Sequence, residues 1–444
     1  MYPALATSWT ISPDGKQMDF KLRQGVKFQN GDPFTSADVK FTYERILAPD
    51  STHSFSRQFR DAIDHIDTPS PDTVRFVLKA PWPVFFTSTR YAMQPIVPKD
   101  YYGKVGPKGF LDKPIGTGPY RLVEYKAGEW NRFEANDAYW GRPAEVKTVT
   151  QIAVKEPFTR YAMLKRGEAD IATGLAGPLL DKAKADKDVK IYLTRYTGTS
   201  GIMFNKELFP QSADKRVRQA IGYAIDRKAI GDRILGGVCQ PASTMATPGT
   251  YGYLAGLPQI PYDPAKARAL LKEAGVAPGT KITFAIQTQS FNALPSAPQV
   301  LEAIAGYLEA VGFTVERSNV DNAAWVAMMR AHKPTSVFYT PITVPDDGGE
   351  IIQSYFVSWS GWTAQSVKVP EYDEIYKNET QEPNVEARLK LLHRFATLES
   401  QNQENIPLLW CDEPFAANVK TVKSWQPSVL SSYHMNIKSL ELAR

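Results

Sequence analysis

Cysteine is almost absent: the 444 residues hold two, Cys239 and Cys411. That excludes a disulfide framework and a cysteine-rich zinc site. The two lie far apart in the chain, so buried or spare thiols are the expectation, with a single bond between them left open. Long apolar runs are missing too. No window approaches the roughly 18 consecutive apolar residues of a membrane-spanning helix. No basic stretch followed by an apolar core opens the chain, where Met1 leads into Tyr2, Pro3, Ala4 and Leu5. Read alone, that expects a cytosolic protein or one whose leader has been removed. Neither sign of charge dominates, with 52 basic and 47 acidic residues. The densest charged stretches, 182–190 and 214–218, alternate in sign as solvated helix faces do, so no nucleic-acid partner is expected.

Signals of catalysis are equally sparse. His53, His65, His332, His393 and His434 fall outside any metal-ligand spacing and adjoin neither cysteine. The stretch 103–109 (GKVGPKG) lacks the Gly-Lys-Ser/Thr end of a phosphate-binding loop. Residues 198–201 (GTSG) miss the nucleophile-elbow pattern because the second glycine comes one residue early. The carboxylates Asp346, Asp347 and Glu350 sit in a Gly-rich turn without calcium-loop spacing, and a solvated turn is their expected role. No catalytic residue, metal or cofactor is therefore expected. An α/β hydrolase acting through Ser200 is the rival class, and it lacks a visible base.

What the chain does have is a globular composition, 43% hydrophobic and 22% charged, at a length that suits two to four domains. Turn chemistry at Ser12-Pro13-Asp14-Gly15 precedes an alternating strand at 18–22. Thr35 reads as a helix N-cap with Asp38 three residues on, and 72–78 and 120–125 read as further strands. From residue 149 onward apolar strands alternate with helices: strands at 149–154, 169–172, 191–193 and 201–204, helices at 157–166 and 178–185. That rhythm predicts a mainly parallel sheet flanked by helices. Helices follow at 217–225 and 227–235. Asp263 caps a helix that Pro264 opens and Gly275 stops. Strands at 282–286, 313–315 and 337–340, helices at 298–311, 323–330, 371–377 and 384–402, and short strands at 407–411 and 416–422 complete the reading.

Several blocks in this order carry a family resemblance. They are 4–9 (ALATSW), 12–15 (SPDG), 20–28 (FKLRQGVKF), 30–39 (NGDPFTSADV), 114–120 (PIGTGPY), 136–141 (NDAYWG), 160–170 (RYAMLKRGEAD), 217–227 (VRQAIGYAIDR) and 262–267 (YDPAKA). Together they resemble the family 5 extracellular solute-binding proteins, receptors of ABC importers for dipeptides, oligopeptides, nickel and related solutes. The resemblance implies an α/β fold of the two-lobed periplasmic binding protein kind (type II, cluster C-like) with an extra α+β domain. It places the extra domain at 5–113, lobe I at 114–204 plus 415–444, and lobe II at 205–414. It also implies a leader and an opening lobe I segment upstream of residue 4, neither of which this sequence contains.

The function so implied is capture of a peptide or other small organic solute between the lobes by hinge closure, followed by delivery to ABC permease subunits. A receptor for a non-peptide solute, such as an opine, oligosaccharide or aromatic compound, is the alternative. A monomer is expected, periplasmic or membrane-anchored outside the cytoplasm. Carried over by position, the hinge falls at Gly201, Asn205, Asp412 and Pro414. Ligand contacts fall at Thr173, Gly174, Leu175, Tyr339, Thr340, Pro341, Asp346, Asp347 and Trp410. Trp359 and Trp362 join them as aromatic platforms, beside Trp325 and Tyr355, with Arg195 and Arg330 as partners for a ligand carboxylate. Peptide receptors of the family clamp the ligand's amine with an aspartate where ungapped counting here finds Val344, so Asp346 or Asp347 would serve only after a loop shift.

Overall fold

The computed structural model describes residues 3–53, 56–86, 95–289, 296–343, 347–360, 362–363, 366–427 and 436–443. The chain folds into two compact units. One comprises residues 1–155 with the short stretches 380–385 and 437–442; the other comprises 156–379, 386–436 and 443–444.

In the first unit, strands β1 (Ala6–Ile11), β2 (Gln17–Leu22), β3 (Ile63–Ser70) and β4 (Thr73–Leu78) form an antiparallel sheet in the order β1-β2-β4-β3. The expected cap is present: the backbone N–H of Thr35 donates to Asp38 Oδ2 at 2.9 Å, starting the helix Ser36–Leu47. That helix lays Val39, Tyr43 and Ile46 on the sheet, with the Tyr43 ring edge-on to Phe76 at 4.8 Å. Met18, Leu22, Phe59, Phe76, Trp82 and Phe85 fill the same core. Each contributes about 1.5–3 kcal/mol by leaving water.

Strands β5 (Tyr120–Lys126), β6 (Trp130–Ala135) and β7 (Thr148–Ile152) make a separate antiparallel meander of this unit. The stretch 149–154 therefore does not open a βαβ series, as its apolar letters suggest. No residue of the three strands is buried, and Ile152 is half exposed. A strand open on both faces reads like a buried one when only its composition is counted.

In the second unit, β8 (Ile171–Thr173), β9 (Val189–Phe204), β10 (Cys239–Pro241), β11 (Lys281–Gln287), β12 (Thr314–Val320), β13 (Val337–Thr343) and β14 (Asn405–Asn418) share one sheet. The order is β10-β14-β9-β13-β11-β12, with β8 also pairing β14. Only β11 pairs in parallel, with β12 and β13; the other pairings are antiparallel. The expectation of a mainly parallel sheet is corrected by two elements. Residues 189–204 and 405–418 are single long strands lying antiparallel to each other, where the sequence suggests pairs of short ones. Their polar middles hide the continuity, because Thr194, Thr197, Thr199, Ser200, Asp412 and Glu413 are buried without being apolar. The prolines of β14 sit beside its two register shifts, where a missing N–H does least harm.

Helices pack both faces of this sheet. One core gathers Ile202, Phe204, Ile221, Phe284, Leu301 and Ile304; the other gathers Met203, Phe338, Ile351, Phe356, Tyr372 and Phe395. Asp263 caps its helix as expected, its Oδ1 accepting from the Lys266 N–H at 2.8 Å. The helix expected at 227–235 is one α-turn, Arg227–Ala229, followed by a π-turn, Ile230–Ile234. Gly231 packs so close to the Cys239 carbonyl that no side chain fits between them. Among the described residues no helix is long and apolar enough to cross a membrane.

Candidate functional site

The two long strands are the spine of the candidate site. They pair from Asn405 opposite Met203 to Pro407 opposite Gly201, shift by one residue, pair again from Leu409 opposite Ser200 to Cys411 opposite Gly198, then slip further and resume with Glu413 opposite Thr194. Three residues of β9, Arg195 to Thr197, thus face one residue of β14, Asp412. Tyr196 takes φ +53°, a left-handed conformation that an aromatic residue rarely adopts. Its backbone N–H donates to Asp412 Oδ1 at 2.9 Å, and Arg195 Nη1 lies 3.0 Å from Asp412 Oδ2. Burial raises the Asp412 carboxyl above the usual carboxylate range, outweighing those two contacts. Backbone strain held by a partly buried acid is a common mark of a functional bend.

Beside the slip, Cys411 is bonded to Cys239. This corrects the expectation of spare thiols. The two cysteines are register partners of β14 and β10, a juxtaposition across 172 residues that only the sheet pairing creates. Of the expected hinge residues, Asp412 stands in the bend and Pro414 pairs with Leu193 just past it. Gly201 and Asn205 lie in the tightly packed part of β9 and the turn after it. The Asn205 side chain donates to the Pro334 carbonyl at 3.0 Å and accepts from Glu207 N–H at 3.0 Å. Gly201 presses against the Asn405 side chain where a Cβ would stand. Gly201→Ala is expected to cost about 1–3 kcal/mol by overpacking. Urea unfolding measures it, and a change below a few tenths would show that Asn405 moves aside freely.

Trp410 lies opposite Thr199, one residue before the disulfide. Its Nε1–H donates to the Thr244 carbonyl at 2.9 Å, and the rings of Tyr253 and Tyr196 stand edge-on at 5.8 and 6.3 Å. Among the described residues, the buried hydroxyls of Thr197 and Thr199 meet no hydrogen-bond partner. Tyr196, Thr197, Thr199 and Tyr253 are absent from the sequence expectations, since nothing in their local pattern separates them from ordinary strand and loop residues.

The other expected contacts are placed as follows. Tyr339, Thr340 and Pro341 pair with Ile202, Gly201 and Ser200 across β13. Tyr339 is fully buried, which pushes its hydroxyl well above the usual range. Thr340 Oγ1 donates to the Gly201 carbonyl at 3.1 Å and accepts from Asn405 Nδ2 at 3.0 Å, so both side chains serve the interior. Thr173 ends β8 opposite Phe415, and Gly174 follows with φ +66° and a carbonyl held by Arg160 at 3.1 Å. Leu175 is packed in the core at 1% exposure, which leaves it no face for a ligand. Trp362 stacks on Trp325 at 6.2 Å, and Trp359 stands 37% exposed beneath Lys377. Tyr355 donates toward the Pro341 carbonyl at 3.4 Å. Arg195 holds Asp412, while Arg330 is exposed at the end of its helix. Ring contacts thus gather Trp410 with the bend and leave Trp325 with Trp362, and Trp359 with Tyr376, as separate groups.

Asp346 lies outside the described residues, as do Val344 and Pro345. Asp347 is 1% exposed and committed elsewhere. Its Oδ1 accepts from the Gly349 N–H at 2.8 Å, capping the helix Gly348–Tyr355. Both its oxygens accept from Arg388, at 2.6 and 2.8 Å, and Glu379 Oε2 takes the Arg388 Nε–H at 2.9 Å. Tyr251 covers the guanidinium at 5.0 Å. Ser200 is fully buried, its hydroxyl directed at the Leu409 carbonyl at 3.5 Å.

Two buried acids of this unit give its stability a pH dependence. Burial pushes Glu379 and Glu399 each up to about 8, against the pull of Arg388 on the first and of the Asn405 N–H on the second. A carboxyl whose folded pKa exceeds its unfolded value stabilises fully below the unfolded value and loses that contribution as pH rises through the folded one. Melting temperature is therefore expected to fall between about pH 5 and pH 9. A melting temperature flat over that interval, or rising, would contradict both assignments.

The model of the bacterial extracellular solute-binding proteins, family 5 (middle), matches residues 1–391. Di/tripeptide-binding protein 2 of Pseudomonas aeruginosa is 33% identical over 352 residues, covering 74% of this chain and 65% of that protein. Heme-binding protein A of Haemophilus influenzae is 33% identical over 325 residues, covering 68% of this chain and 59% of that one. The matched chain thus spans less than two thirds of these curated relatives. Among solved structures, the periplasmic binding protein DppA of Helicobacter pylori in complex with the peptide STSA superposes with a TM-score of 0.88 at 22% identity. It covers all of this chain and 89% of that one. AgaA of Agrobacterium tumefaciens R10, in complex with agropinic acid, gives 0.85 at 23% identity, covering 100% and 90%. These likenesses show the fold, that of the two-lobed type II periplasmic binding proteins.

Proposed function

Because the chain belongs to the bacterial extracellular solute-binding proteins of family 5, we propose that it is the substrate-binding component of a bacterial ABC importer. It captures a peptide or other small organic solute and hands it to permease subunits of the inner membrane. The observation that carries this reading is the bend shared by β9 and β14. Two long strands slip register where Tyr196, Asp412 and the ring of Trp410 meet, with unpartnered hydroxyls alongside. Such a bend is where a two-lobed receptor folds around its ligand. The protein acts as a monomer outside the cytoplasm, free in the periplasm or anchored to the membrane, and performs no catalysis. The division into an extra domain (5–113), lobe I (114–204 with 415–444) and lobe II (205–414) belongs to the same proposal.

Peptides lead as the solute class, supported by the di/tripeptide-binding relative. A second reading, a non-peptide solute, is favoured by one observation: Asp347 is neutralised by Arg388 and cannot clamp a free amine. A thermal-shift screen with di- and tripeptides, opines, oligosaccharides and aromatic acids separates the two. A rise in melting temperature with peptides alone supports the first. Turnover of any added compound, lost in Ser200→Ala, would overturn the non-enzymatic reading.

A further inference from the structure

Two short strands pair with β14 on the two sides of its bend. β10 meets it before the bend, with Cys239 opposite Cys411, and β8 meets it after, with Thr173 opposite Phe415. The elements attached to these strands touch each other. The helix Gly177–Lys184 follows β8, and the π-turn Ile230–Ile234 leads through Gly236 into β10. Gly177 and Gly236 meet backbone to backbone. A Cβ on Gly236 would stand 3.0–3.1 Å from three backbone atoms of Gly177, and a Cβ on Gly177 would stand 2.7 Å from the Ile234 carbonyl oxygen. Both glycines are left-handed, at φ +56° and +64°. Lys184 Nζ donates to the Gly236 carbonyl at 3.2 Å. Beneath them Leu179, Leu180 and Ala183 of the helix share one buried core with Leu235, Leu409 and Cys411.

That core lies behind the bend. Successive side chains of a strand point to opposite faces, so Trp410, between Leu409 and Cys411, faces away from it. A hinge that closes toward one face parts what is joined on the other. We propose that Gly177 and Gly236 set the balance between the open and closed forms of the receptor: their contact ties the back of the hinge across the bend, loosens when the front closes on solute, and so lowers the apparent affinity. This rests on the reading of the bend as the closing point. A protein whose binding-competent form is only partly populated binds more weakly by that fraction. Affinity is then tuned by two residues that touch no solute, and glycine at both gives the backbones their closest approach.

Distance measurement between spin labels on the full chain tests this. The labels sit on Lys182→Cys in the helix and Arg233→Cys in the π-turn, both exposed. The native cysteines are bonded to each other, so only the introduced ones take label. Trialanine is the solute probe, with affinity read by calorimetry. Gly236→Ala is the wedge. Gly237→Ala is its control, with the same left-handed backbone at φ +74° but nothing within 4 Å of its Cβ. Expected in Gly236→Ala are a longer label distance without solute and trialanine binding about 3- to 10-fold tighter than wild type. Gly237→Ala should keep the wild-type distance and affinity. Trialanine should lengthen the wild-type distance as well. Lys184→Ala, which removes only the hydrogen bond, should move both readouts the same way by less, and it serves if Gly236→Ala does not fold. A merely destabilised fold would weaken binding, not tighten it. A folded Gly236→Ala that matches Gly237→Ala in distance and affinity, or that binds more weakly than wild type, overturns the proposal. If trialanine still lengthens the wild-type distance, the closing bend stands and only the role of the two glycines falls. If it binds without lengthening, the reading of the bend falls and the proposal with it. If no form binds trialanine, the solute-free distances alone decide.

Discussion

Arg388→Ala is expected to lower folding stability by about 3–5 kcal/mol, enough to unfold a marginal domain at growth temperature. Arg388 is 6% exposed, and it is the shared cation of Asp347 and Glu379, themselves 1% and 0% exposed. Removing it leaves two carboxyls in a site closed to water, one of them capping the helix Gly348–Tyr355. Neutralising Glu379 by protonation softens the loss at acid pH, so the deficit should be larger at pH 8 than at pH 5. Lysine in place of Arg388 should recover only part, because a single ammonium cannot reproduce the forked contact to Asp347 while also reaching Glu379. Urea unfolding at the two pH values decides it. A loss under about 1 kcal/mol at both would show that the triad is replaced by water or by rearrangement rather than left unpaired.

Trp410→Ala is expected to weaken solute binding by about 30-fold or more, the mark of an aromatic anchor at the centre of a site. The indole is buried to 6% exposure between Tyr196 and Tyr253 and is tied to Thr244. Phenylalanine retains the ring but loses the donor, so Trp410→Phe should fall between wild type and alanine. Affinity is measured by calorimetry on folded protein, with melting temperature recorded to separate lost binding from lost structure. Equal affinity in all three forms would remove Trp410 from the binding site.

The local chemistry of this chain is legible in its letters. Thr35 with Asp38, Asp263 before Pro264, and the alternation at 18–22 each specify an element through neighbours a few residues away, and the structure contains them. What the letters hide is long-range. The continuity of β9 and β14 is masked by Thr-rich and acidic middles, which become buried only because each strand covers the other. The disulfide joins residues that meet only once β10 has paired with β14. Asp347 reads as one carboxylate in a solvated Gly-rich turn, and its partner Arg388 lies 41 residues on in a helix of ordinary pattern. The candidate site follows the same rule. Trp410 and Asp412 were legible through their place at an expected crossover, whereas Tyr196 was not, because a left-handed tyrosine looks like any strand residue until the register slips.

The central claim, that this chain carries a small organic solute at the β9–β14 bend, is tested most directly by mass spectrometry of what the gently purified protein releases on denaturation. The expected result is about one equivalent of a single small solute. Added back, that solute should raise the melting temperature of the wild type and bind Trp410→Ala far more weakly. A protein that releases nothing and is shifted by no member of the solute panel, or a released solute that binds Trp410→Ala as well as wild type, would contradict the account.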